Sequence, residues 1–221
     1  MPRRIVIVGA GGHARVLVDL LVSLGNYTIA GLTDPNPRKH NTLLLGYPIL
    51  GGDELLPDLL CQGIDCACLG VGSVRAEDNR RRQELFQLTR ELGFTIPNLQ
   101  HPRAIVSQFC HWGNGVTVMA GAIINPGVTL GDNSLINTGA LVEHDCVLER
   151  HTHISPGAKL AGGVAVREGA YVGLGAAVRQ GVQINRWATV GAGAVVLQDV
   201  PEGATVAGVP ARPLRNKHGV E

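Results

Sequence analysis

From Val106 onward the apolar positions recur at every sixth residue: Val106, Trp112, Val118, Ile124, Leu130, Ile136, Val142, Leu148, Ile154, Leu160, Val166, Val172, Val178, Ile184, Val190 and Val196. Fifteen of these sixteen are Val, Ile or Leu. Four places further into many hexads stands a small residue, as at Ser134, Ala140, Cys146, Ala158, Ala170, Ala176, Ala188 and Ala194. An α-helix turns by about 100° per residue, so positions six apart lie roughly 240° from one another and share no face. An ordinary strand accepts the even spacing, but not sixteen glycine-studded hexads between residues 106 and 201. The pattern therefore predicts a solenoid in which each hexad supplies a short strand and a turn, three hexads close a triangular coil, and coils stack about 4.8 Å apart. Sixteen hexads give a little over five coils, a rod of roughly 25 Å at that spacing. One column of large and one of small side chains fill its narrow interior.

The N-terminal part follows other periods. Residues 5–8 read as a buried strand, Gly9-Ala10-Gly11-Gly12-His13 as a turn, and residues 14–24, apolar at Val16, Leu17, Leu20, Leu21 and Leu24, as a helix. A strand over 28–32 ends near Asp34, residues 53–60 and 76–92 have helical spacing, and 65–69 and 95–99 read as strands. This alternation predicts a small parallel, Rossmann-like α/β domain over residues 1–101, followed after His101-Pro102 by an all-β domain of hexads over 102–221. Gly9, Gly11 and Asp34 have the look of a dinucleotide fingerprint, in which glycines admit a phosphate to the backbone and an acid holds a ribose. Ala14 stands where the third glycine would be, and the domain is small for a two-halved dinucleotide fold. A single mononucleotide suits it better.

Composition narrows the partners. Thirty glycines with only 4% aromatic residues fit many tight turns between short strands. Nineteen Lys and Arg against eighteen Asp and Glu leave a formal charge of +1, so no polyanion-binding face is advertised and nucleic acid is not an expected partner. The apolar run at residues 5–8 is cut by glycines long before it could span a bilayer, and no membrane association is expected. The five scattered cysteines fit reduced thiols, and the chain reads as a soluble cytoplasmic protein.

The candidate chemistry lies in one polar stretch of the hexads: Asn137, then Glu143-His144-Asp145, then His151 and His153. A histidine near its ordinary pKa can take a proton from an attacking nucleophile, and His144 is the candidate base. Asp145 or Glu143 beside it can accept an imidazole hydrogen bond, although neighbours in a strand point to opposite faces, so a turn is required for Asp145 to reach the ring. His151 reads as a surface residue. A zinc site made by His144, His151 and His153 is the weaker reading, since it gives the N-terminal domain no purpose. Cys146, at a small inward position, is expected to be buried and inert.

The hexads, the tail Val200-Pro201-Glu202-Gly203 with Gly208-Val209-Pro210-Ala211-Arg212, and the Gly11-Gly12-His13 turn together resemble the hexapeptide-repeat sugar acetyltransferases. The likeness is to the nucleotide-amino-sugar N-acetyltransferases and related sialic acid O-acetyltransferases of bacterial glycan synthesis. It implies a left-handed parallel β-helix, a homotrimer with active sites between subunits, acetyl-CoA as co-substrate, and a nucleotide-sugar substrate. By the same resemblance Gly11, Gly12, His13, Asp34, Pro35, Gly70 and Gly72 line the nucleotide-sugar pocket, with Pro35 where the N-acetyltransferases often carry a second Asp. His144 is then the proton acceptor, and Asp145, where relatives often carry Glu, raises its basicity. Asn137 is a polar neighbour of the catalytic histidine, and His153 contacts the acetyl donor. Gly162, Leu174 and Ala192 fall at coenzyme-lining positions, and the Gly162 N–H is a candidate oxyanion donor. An amine and a hydroxyl acceptor, or a non-enzymatic nucleotide-sugar scaffold, all remain open at this point.

Overall fold

The computed structural model describes residues 2–214. Its first part is a five-stranded sheet ordered β3-β4-β2-β1-β5, where β1 is Arg3–Val8, β2 Tyr27–Thr33, β3 Leu43–Leu44, β4 Tyr47–Gly51 and β5 Cys66–Leu69. The β4-β2-β1-β5 pairings are parallel, and β3 joins β4 as an antiparallel hairpin. Helices α1 (Gly12–Leu24), α2 (Leu56–Cys61) and α3 (Ala76–Glu91) connect and flank the strands.

The β3–β4 hairpin is absent from the sequence reading because its turn is disguised. Leu45 and Gly46 both have positive φ, 50° and 87°, the geometry of a tight hairpin turn that ordinarily selects Asn-Gly. Two other expectations need correction. Residues 53–60 break into a 3-10 turn at Asp53–Leu55 followed by the short α2. No strand runs over 95–99: Thr95 makes one bridge to Cys66, Pro97 intervenes, and Leu99–Gln100 pairs instead with Thr117–Val118.

From Leu99 to Val196 the chain is a triangular prism of two-residue parallel strands, paired at eighteen-residue intervals, as Ile123 with Leu141 and Leu141 with Lys159, and the last rung shortens to sixteen, Thr189 with Thr205. The first face runs through Leu99, Thr117, Leu135, His153, Tyr171 and Thr189; the second through Ile105, Ile123, Leu141, Lys159, Ala177 and Val195; the third through His111, Thr129, Val147, Ala165 and Gln183. The large column and the small column expected from the hexads both point inward and are buried from Val118 to Val196. Trp112, the one aromatic in the large column, belongs to the opening strand of the third face and packs against the end of this core. The tail turns back on itself, with Val206 and Ala207 pairing antiparallel to Pro213 and Arg212.

The faces differ in their surroundings. The outward residues of the first face are buried because the α/β part sits on them: Leu99, Met119 and Leu135 join the core of α1 and β1, the Ala76 N–H donates to Thr189 Oγ1 at 3.0 Å, and Asn79 Nδ2 donates to the Gly169 carbonyl at 3.0 Å. The second face carries Ile, Ile, Leu, Lys, Ala and Val outward, none of them buried, with Ile105 67% exposed. Apart from Lys159 this strip is apolar.

Because both interior columns are close-packed, they tolerate neither cavities nor added bulk. Ile154→Ala is expected to cost about 2–5 kcal/mol of stability and Ala158→Leu about 1–3 kcal/mol, read from denaturant unfolding.

Candidate active site

Two corners of the prism carry the chemistry. At the corner between the first and second faces, Thr138, Pro156, Leu174 and Ala192 stack at the eighteen-residue interval, and the Gly157, Gly175 and Gly193 N–H groups donate to the carbonyls of the first three. At the corner between the second and third faces, Pro126, His144 and Gly162 stack likewise, with Asp145, Gly163 and Gly181 as the donors.

A cavity of about 710 Å³ lies where the α/β part meets the first of these corners. Gly11, Gly12, His13, Asp34, Pro35, Gly70, Gly72 and Asn137 all line it, as does His153. Gly11 is the N-cap of α1, and a Cβ at Gly11 or Gly12 would meet nothing within 4 Å, so this helix start opens directly into the cavity. Gly70 is constrained for another reason: a Cβ there would collide with the Gly9 carbonyl, and the Gly70 N–H donates to the Val8 carbonyl at 2.7 Å.

Asp34 reaches the cavity wall with both carboxylate oxygens already hydrogen-bonded within the chain. Its Oδ2 accepts from Lys39 Nζ at 2.7 Å and from the Ala10 N–H at 3.2 Å, and Oδ1 accepts from the Asn36 N–H at 3.0 Å. Burial alone would raise its pKa, but Lys39 and the two N–H groups hold it below the usual carboxylate range. Asp34 thereby pins the glycine turn against the end of β2.

Sequence reasoning missed Ser73, Asp53, Arg81 and Thr138 on the cavity wall. Arg81 sits in a run of three arginines on α3 whose fates differ. Arg80 lies over the Trp187 ring at 4.2 Å, Arg81 pairs with Asp53 at 3.1 Å, and Arg82 is buried, donating to the Leu69 and Val71 carbonyls at 3.2 Å. Successive helical residues point about 100° apart, so the run divides among three environments, and no local signal tells which residue meets the cavity.

Four histidines settle into two electrostatic classes. His153 is buried on the first face; its Nε2 stands 3.2 Å from Asn137 Nδ2, whose companion Oδ1 accepts the Thr138 N–H at 2.8 Å. That orientation makes Nε2 the acceptor and leaves the ring proton on Nδ1. Burial, with His13 and Arg82 nearby, drives its pKa well below the ordinary value, and burial beside Arg82 lowers His13 to about 3. His151 corrects the surface reading given to it: it is 4% exposed, its Nδ1 lies 2.9 Å from Asn133 Nδ2, and its ring meets Phe86 of α3 edge-on. Burial pulls its pKa down to about 4.

His144 is the opposite case. It projects from the second-to-third corner, more than half exposed, with Nδ1 2.8 Å from Asp145 Oδ2. The required turn is present: Asp145 has φ 60°, left-handed, which brings its side chain to the same edge as the preceding ring. Asp145 is thus the carboxylate on the imidazole. Glu143 is occupied elsewhere, accepting from Asn125 Nδ2 at 2.9 Å. The Asp145 hydrogen bond foremost, then its charge and that of Glu143, raise the His144 pKa despite slight desolvation. Within the chain Asn137 meets His153 and stands at the other corner of the second face from His144. His144, His151 and His153 point from separate places on the prism, and among the described residues no three His, Cys, Asp or Glu side chains gather as a metal site. Cys146 is buried with Sγ toward the Ala161 carbonyl at 3.2 Å and its pKa pushed up to about 11, the condition of an inert thiol.

Comparison with known proteins matches residues 4–88 to the PglD N-terminal domain family. A variant of perosamine N-acetyltransferase from Caulobacter crescentus, solved with CoA and GDP-perosamine, is 42% identical over 96% of this chain and 97% of its own, with a TM-score of 0.90. The chain belongs to the hexapeptide-repeat sugar acetyltransferases. The acetyltransferase domain of PglB from Neisseria gonorrhoeae, solved with acetyl coenzyme A, is 38% identical over 97% of this chain and 100% of its own, with a TM-score of 0.87. WeeI from Acinetobacter baumannii is 25% identical over 96% and 100%, with a TM-score of 0.77. No curated protein gives a significant match by sequence. The prism of this sugar acetyltransferase is the left-handed parallel β-helix of its family.

Two outcomes follow for the acetyltransferase. Asp145→Asn removes the main group that favours protonated His144, so the ring is expected to titrate at lower pH than in the wild type, as read by NMR. Because His151 is held neutral in the folded chain, protonation favours unfolding. The stability it contributes is whole above 6.5 and is lost as the pH falls toward about 4. His151→Asn, which tolerates the left-handed φ of 61°, is expected to flatten that decline in thermal midpoint.

Proposed function

We propose that this acetyltransferase carries the acetyl group of acetyl-CoA to the amino group of a nucleotide-linked amino sugar, working as a homotrimer with its active sites between subunits. The observation that carries this reading is the separation of two half-sites: the cavity and its glycine turn lie at one edge of the apolar second face, and His144 with Asp145 at the other. A cyclic assembly that buries the second faces brings the cavity of one subunit up to the His144 edge of the next. The closely similar perosamine N-acetyltransferase, crystallised with CoA and GDP-perosamine, supports the choice of both ligands.

In this reading the nucleotide occupies the cavity, with its phosphates at the open start of α1, where Gly11 and Gly12 leave room and the helix N-terminus favours negative charge. The division into a nucleotide-sugar unit over residues 1–101 and a catalytic unit over 102–221 is part of the proposal. Coenzyme lies along the Leu174 and Ala192 ladder of one subunit, near His153, and against Gly162 of the next. The amine nitrogen attacks the thioester carbonyl, and His144 Nε2 takes its proton while Asp145 steadies the imidazolium through Nδ1. The carbonyl oxygen becomes an oxyanion, for which the Gly162 N–H is the candidate donor. When the carbon–sulfur bond breaks, the proton passes from His144 to the departing thiolate. The described helices include none long and apolar enough to cross a membrane. The free cysteines suit a reducing compartment, and we place the enzyme in the cytoplasm.

Thiol release from acetyl-CoA against GDP-, UDP- and dTDP-linked amino sugars and sialic acid tests the reading, with GDP-perosamine the first acceptor to try. Turnover is expected with an amino sugar and is expected to fall about a hundredfold or more in His144→Ala. Consumption only with sialic acid would move the activity to a hydroxyl, and near-normal turnover in His144→Ala would remove the base.

A further inference from the structure

We propose that Gly162 and Gly127 are positioning residues for the His144–Asp145 pair: the side chains they lack leave two seats on the prism edge, one for the imidazole and one for the carboxylate. The inference rests on the reading of His144 as the base and gives these glycines a steric role besides any contact with coenzyme.

Gly162 stands directly beyond His144 at the same corner, the Gly163 N–H donating to the His144 carbonyl at 2.9 Å. A Cβ at Gly162 would lie 2.6 Å from both Cε1 and Nε2 of His144 and 3.3 Å from Cδ2, and nearer to the ring than any Cβ can stand. Gly162 has no positive φ, so the backbone itself does not demand glycine there. The other prism glycines without a left-handed φ are explained by the fold. A Cβ at Gly113, Gly131 or Gly173 would strike the main chain of the next coil, and one at Gly191 would strike the Cβ of Ala207. At Gly162 the nearest atoms all belong to the imidazole.

On the other side of the pair, a Cβ at Gly127 would collide with Asp145 Oδ1. Gly127 also has a φ of 79°, so its turn favours glycine independently, and Gly162 is the cleaner of the two. The imidazole is thus laid over one gap and the carboxylate over the other, and the 2.8 Å Nδ1 to Oδ2 bond joins them along the edge. Any side chain at 162 must swing the ring out, separating Nδ1 from Asp145 and re-aiming Nε2. The charged groups that face the ring are Asp145 and Glu143.

The test is the NMR titration of His144 in the full-length protein without ligands, its signal assigned by loss in His144→Ala. In Gly162→Ala the His144 midpoint is expected to drop toward that of Asp145→Asn, with the thermal midpoint unchanged. Gln180→Ala, one coil further along the same edge, is expected to leave the titration as in the wild type. Turnover in Gly162→Ala is expected to fall by up to about a hundredfold, as for a misplaced catalytic group. A wild-type titration in Gly162→Ala overturns the proposal. Should that variant not fold, Gly127→Asn, which keeps the left-handed turn accessible, is read the same way: an unchanged midpoint overturns the proposal and a lowered one supports it. Absence of any acetyl transfer by the wild type would sink the proposed function instead, while the titration still decides the role of these glycines.

Discussion

A prism closed by three six-residue sides repeats its main-chain hydrogen bonds every eighteen residues, and this repeat decides which corner residues stand above one another. Pro126, His144 and Gly162 form one such stack; Thr138, Pro156, Leu174 and Ala192 form another. The interior column of Val, Ile and Leu holds the repeat in register, since a slip of one residue would turn every aliphatic side chain out to water. The corner that carries His144 therefore rests directly on this core. The main chain at His144 is set by this stack and not by a long loop.

Upon this frame the histidines are sorted by water. His13, His151 and His153 sit in the seam between the α/β part and the first face, where burial keeps them neutral. His144 faces solvent and keeps a carboxylate on Nδ1, so its affinity for a proton rises rather than falls. The two classes suit two duties. Neutral rings can give and receive hydrogen bonds of fixed direction to a bound ligand, whereas proton transfer needs a ring whose charged form is tolerated.

The same seam explains how an α/β unit too small to be a dinucleotide domain still builds a sizeable cavity. Its glycine turn supplies one wall, and Asn137, Thr138, His153 and Pro156 of the prism supply another. Arg82, buried without a carboxylate, donates from one terminal nitrogen to the Leu69 and Val71 carbonyls and so holds the segment that carries Gly70 and Gly72. Asp34 does the equivalent for the turn after β1 through Ala10 and Lys39.

The hexad spacing determined the prism and its inward columns, because aliphatic side chains at a six-residue period fit neither a helix nor an ordinary strand. The glycine turn, Asp34 and the Glu143-His144-Asp145 triplet were also visible, since each carries its chemistry in adjacent residues. Only the tertiary structure decided that Asp145 and not Glu143 meets His144, for that choice lies in one left-handed φ and in the Asn125 contact that occupies Glu143. It likewise moved His151 from the surface to the seam, placed Arg81 on the cavity wall, and gave Asp34 hydrogen bonds to Lys39 and the Ala10 N–H. These outcomes depend on which segments, distant in the chain, come to lie against one another, and local patterns of polarity hold no record of that.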